Sequence, residues 1–111
     1  MTLKKLLSPA TPVNTPVEIE AAYALGLLRK EELVHGAYYR GTCRNAEVAR
    51  WHAGAERFLY ARTKFGSKYL EPIAHPVDER RYDVFMAVQA IDPTDATSID
   101  DDSFEHFFSS K

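Results

Sequence analysis

From Ala37 onward the chain is a series of aromatic and β-branched runs separated by breaks of only a few residues, and this texture constrains the fold more than any other feature. Joining two parallel strands takes a crossover of about a dozen residues or more, whereas antiparallel neighbours need only a tight turn. The spacing therefore predicts an antiparallel sheet. Strands are expected over 38–44, continued or restarted at 47–51, then over 57–65, 68–74 and 82–91, about four in all. His52-Ala53-Gly54-Ala55 and Gly66-Ser67 read as turns and 76–81 as a polar loop. Gly41 marks a bulge or a close backbone approach.

Upstream, the signals are helical. Thr15-Pro16-Val17-Glu18 has the form of a capping box, with Pro16 at the first helical position where its missing donor costs nothing. Ile19, Ala22, Tyr23, Gly26 and Leu27 then follow helical spacing and make one apolar face. Gly26 suits the position after the C-cap, with Leu27 folding back, and 29–33 adds a further helical turn. The expected architecture is α+β: an N-terminal capped helix packed on an antiparallel sheet of about four strands, with an acidic C-terminal tail. Three segments follow: an extended Pro-containing lead-in over 1–15, a single domain over 16–91 and the acidic, aromatic tail over 92–111.

The formal net charge of −2 conceals a strong asymmetry: 35–68 carries a net +5 and 69–111 a net −7. No apolar run approaches the roughly 20 residues that span a bilayer, so no membrane partner is expected. MTLKKLL is cut short by Ser8 and Pro9 before it makes a secretory apolar region. The lone Cys43 precludes an intrachain disulfide, and together these features place the protein in the cytoplasm.

Two surfaces stand out as binding candidates. The first is a sheet face carrying Arg40, Arg44, Arg50, Trp51, Tyr60 and Arg62, where cations would hold phosphates while aromatic faces stack on the bases of a single-stranded nucleic acid. Against this stand the absence of an RNP motif or GXXG loop and the bland alternative of solvated arginines over an aromatic core. The second is the tail, where Asp100–Asp102 leads into Phe104, Phe107 and Phe108 at helical spacing, capped by Ser103. Three free phenylalanines invite aggregation, so they are expected to contact protein, in cis or on a partner.

Chemistry is less well represented. Cys43 stands beside Arg44, and a nearby positive charge favours the thiolate that nucleophilic chemistry requires, but no base stands at a defined spacing. His35, His52, His75 and His106 form no HxH, HxxxH or HExxH arrangement, and the Asp100–Asp102 run lacks the alternation and glycine of a calcium loop. No catalytic residue, metal or cofactor is therefore assigned.

Residues 36–51, GAYYRGTCRNAEVARW, followed by FLYARTKFG, resemble a pattern seen in small uncharacterised bacterial proteins, some of them phage-borne. Its elements are Tyr38, Tyr39, Gly41, Cys43, Arg44, Asn45 and Ala46, then Trp51, then Phe58, Tyr60 and Arg62, about half the chain. The resemblance implies a bacterial cytoplasmic protein and carries over no catalytic residue. The expectation that follows is a non-enzymatic protein-interaction module. Its alternatives are single-stranded nucleic-acid binding regulated by the tail and, less favoured, a cysteine-dependent enzyme. The oligomeric state is left open.

Overall fold

The structure is a computed structural model and describes residues 16–43, 45–78 and 84–109. It is an α+β fold whose elements run α1 (Pro16–Ala24), a 3-10 turn (Lys30–Glu32), β1 (Tyr38–Thr42), β2 (Val48–His52), β3 (Arg57–Lys64), β4 (Ser67–Ile73), β5 (Met86–Ile91) and α2 (Asp101–His106). The five strands form one antiparallel sheet in the order β4-β3-β2-β1-β5. The expected count of about four is thus corrected to five. Val48–His52 does not prolong β1 but turns back and pairs with it, Tyr38 opposite Arg50. Thr15, and with it the expected capping box, lies outside the described residues, as do Arg44 and the first residues of the expected 82–91 strand.

α1 ends as its glycine requires. The Leu27 amide donates to the Ala22 carbonyl at 2.9 Å and the Gly26 amide to the Tyr23 carbonyl at 3.1 Å, the two bonds of a Schellman motif. Gly26 takes φ 122°, a conformation that a Cβ would strain, and Leu27 folds back into a small core with Ala22, Ile19, Val84 and Met86. Gly41 meets both of its expectations. The β1–β5 register slips between Arg40 and Gly41, and a Cβ at Gly41 would sit 2.2 Å from the Met86 carbonyl oxygen. Only glycine lets the two backbones approach that closely.

The two faces of the sheet are covered differently. One face buries Tyr39, Ala49, Trp51, Phe58, Tyr60 and Ile73, roofed by Phe85 as the chain crosses from the β4 edge to the β5 edge. Phe58 is its centre, within 4.9 Å of Phe85 and 4.8 Å of Trp51, ring centre to ring centre. His75 lies wholly buried in this crossing, donating from Nε2 to the Leu28 carbonyl at 2.8 Å and accepting from the Val77 amide at 3.1 Å. Burial lowers its pKa, because the charged ring would lose its hydration. The opposite face holds a smaller core of Leu59, Ile99 and Phe104, with Phe107 and Phe108 partly buried against it. α2 is capped by the Asp100 carboxylate, which accepts from the Ser103 amide at 2.9 Å, so Ser103 is a helix residue and not the expected cap.

Candidate functional site

Side chains alternate across a strand, and this rule alone separates the five described residues, Arg44 lying outside them, of the six expected on one face. Arg50 and Trp51 are neighbours in β2 and must point to opposite sides. The register places Arg40 and Arg50 on the side of α2, and Trp51, Tyr60 and Arg62 on the side of Phe85. They do not form a common surface. Trp51 and Tyr60 are also buried, at 3% and 4% exposure, so neither offers a ring to a ligand. Tyr60 donates to Glu71 at 2.6 Å, and burial, followed by that hydrogen bond, pushes its pKa up to about 12. Arg62 meets the same carboxylate at 3.5 Å. Arg40 remains exposed, within 3.4 Å of Gln89.

Arg50 has become a structural clamp. Its guanidinium donates to the Gly36 carbonyl at 2.8 Å, the Ile99 carbonyl at 3.0 Å and Asp101 at 2.6 Å. It also lies 4.1 Å over the Phe104 ring. The Tyr38 hydroxyl accepts from the Ile99 amide at 2.8 Å and donates to its carbonyl at 3.2 Å. The basic middle and the acidic end therefore meet within the molecule. Phe104 is 1% exposed, and Phe107 and Phe108 are half-buried beside it.

The fold also assembles a group with no signature in sequence spacing. His35, in the turn before β1, faces His52 at the end of β2, because the ladder extends past β1 through Gly36, Ala37 and Trp51. α2 then brings in Glu105, whose carboxylate lies 2.8 Å from His35 Nε2 and 3.8 Å from His52 Nε2. These three groups lie close enough together to suggest a metal site. Their hydrogen bonds argue otherwise. The Ala53 amide donates to His35 Nδ1 and the Ala55 amide to His52 Nδ1, each at 3.1 Å. A neutral ring accepting at Nδ1 carries its proton on Nε2, so neither Nε2 has a lone pair for a cation. The trio is a hydrogen-bonded seat for α2. An open cleft of about 530 Å³ lies beside it, and the hydroxyl lining it, that of Ser109, donates to the His106 carbonyl and not to a ring. Cys43 is buried and contacts the Ala46 carbonyl at 3.5 Å, away from all three residues.

What remains presented is the far end of the β3–β4 hairpin. Lys64 pairs with Ser67 across a two-residue turn, Phe65-Gly66, with φ 53° and 77°. Turns of this twist favour Asn-Gly, and a phenylalanine in the left-handed region is held there at a cost of about 1–2 kcal/mol. Glu56 shares that φ, but it is paired with Lys30. Phe65 is 91% exposed, and Lys64 lies 5.6 Å over its ring. Tyr69, opposite Arg62, is 47% exposed. Residues 62–70 carry a net +3 with no carboxylate. Lys68 donates to the Ser98 carbonyl at 2.7 Å and stays exposed. Among the described residues no carboxylate lies within ion-pair distance of Lys64 or Lys68. The turn falls at Phe65-Gly66, one residue before the expected Gly66-Ser67, so Phe65 leaves the expected 57–65 strand and Ser67 begins β4. The available signal was Phe in front of Gly, where Asn or Asp is usual.

No helix among the described residues is long and apolar enough to cross a membrane. In comparisons with known proteins, no family model, curated protein or solved structure matches this chain.

Proposed function

We propose that the protein is a non-enzymatic, cytoplasmic interaction module of the small bacterial type its central motif resembles, and that it engages its partner through the tip of the β3–β4 hairpin. The observation carrying this reading is Phe65, a large apolar side chain 91% exposed and held at φ 53°. A bulky residue in a sparsely populated conformation, with no burial to offset the strain, points to a function outside the folded chain. The two surfaces expected from sequence support this by elimination, since Trp51, Tyr60 and Phe104 are buried and Arg50 is spent on the tail. The enzyme reading draws no support from the His35–His52–Glu105 group, which has no nucleophile hydrogen-bonded to it among the described residues.

The test is in-cell photo-cross-linking with a photoreactive phenylalanine analogue at position 65, and at position 25 as control, where Leu25 is also exposed. Discrete adducts at 65 and not at 25 are expected. Equal or no adducts at 65 would remove the hairpin tip as the contact element.

A further inference from the structure

We infer that the partner of this hairpin tip is a single-stranded nucleic acid; the inference rests on the binding reading above and names its ligand class. Three observations carry it. Arg62, Lys64 and Lys68 bring a net +3 to 62–70, with no carboxylate in that run. The two exposed phenylalanine and tyrosine rings among the described residues, Phe65 and Tyr69, lie in the same short segment. The register sets Arg62 opposite Tyr69 and Lys64 opposite Ser67, so alternation puts Arg62, Lys64 and Tyr69 on one side of the ribbon, with Phe65 at its tip.

That is the layout a flexible polyanion with free bases recognises: cations for phosphates, and rings on which bases stack without sequence preference. A duplex keeps its bases stacked and offers such rings nothing to cover. A protein partner fits less well, because the core of a protein interface is depleted in lysine and the tip carries two. The other exposed apolar residues point the same way. Val77 adjoins Asp78, Val34 follows Glu31 and Glu32 closely and Leu25 carries no ring, so among the described residues the hairpin tip is where exposed rings coincide with two lysines, Lys64 and Lys68, that have no carboxylate within ion-pair distance.

The experiment is fluorescence anisotropy of labelled 12-nucleotide single strands and a 12-base-pair duplex with the full chain, at 50 and 200 mM salt. Single strands should bind more tightly than the duplex. Two to three phosphate contacts predict an affinity loss of about 7- to 20-fold between the two salts. Phe65→Asn should weaken binding about five-fold or more without loss of fold, since Asn-Gly suits the turn. Lys64→Gln with Lys68→Gln should flatten the salt dependence. Absence of binding at 50 mM, preference for the duplex, or binding indifferent to Phe65→Asn would each overturn the inference. The cross-link separates the two readings. An adduct at 65 that protease removes and nuclease does not would overturn the nucleic acid and keep the hairpin as contact element; no adduct would end both.

Discussion

The two ends of the β3–β4 hairpin are made of the same kinds of residue and put to opposite uses. At its base, Phe58, Leu59 and Tyr60 are buried in succession and reach both cores, Phe58 and Tyr60 on the side of Phe85 and Leu59 on the side of Phe104. At its tip, from Thr63 to Tyr69, every residue is exposed, and an aromatic ring sits where the backbone prefers asparagine. The sheet ends where its coverings end: Phe85 packs over one side of the base and α2 over the other, and no described residue roofs the turn. Aromatic content is therefore a poor guide to burial here. What decides is whether another element lies across the strand.

Four measurements test the contrast between base and tip. Phe58→Ala should cost the most, about 3–5 kcal/mol by urea denaturation, because the ring is fully enclosed. A loss under 1 kcal/mol would mean that the base is not the packed end. Phe104→Ala tests whether the tail's core is as firm, with an expected cost of about 3 kcal/mol, near the low end of that range because this core is smaller. If removal of Phe104 leaves the melting curve unchanged, the tail does not contribute to the fold.

A third measurement uses pH. Tyr60 has a folded pKa of about 12 against the ordinary 10.0 of a tyrosine, so the folded state holds this proton more tightly than the unfolded chain does. Its stabilising effect is complete below pH 10 and is lost as pH rises towards 12, about 2–3 kcal/mol in all. Urea titrations across that range should show this decline, and Tyr60→Phe should remove it. The smallest expected effect is at the tip. Phe65→Asn should raise stability by about 0.5–1 kcal/mol, the reverse of any change at the base, because it relieves the left-handed strain and exposes nothing new. A destabilisation of similar size would show that the Phe65 ring packs on the protein after all.

Much of this molecule was legible locally. Gly26 behind an apolar helical stripe leads to a Schellman end because no other residue takes φ 122° without strain. Gly41 in the middle of a strand marked the register slip and close approach to Met86. The division of Arg50 from Trp51 is also readable, since adjacent residues of a regular strand point to opposite faces. The approach of His35, His52 and Glu105 left no such trace. Glu105 comes from an element 53 positions beyond His52, and its meeting with the two rings depends on where α2 settles on the sheet.

The α+β class, the antiparallel pairing, the helix stop and the glycine-dependent bulge are written in the residues themselves, because each follows from backbone sterics within a few residues. The strand order, the choice of enclosed aromatics, the capture of Arg50 by the tail and the exposure of a basic, aromatic tip emerge once the chain is folded. Those outcomes depend on which distant segments cover which face, and burial is a property of that covering and not of the residue covered.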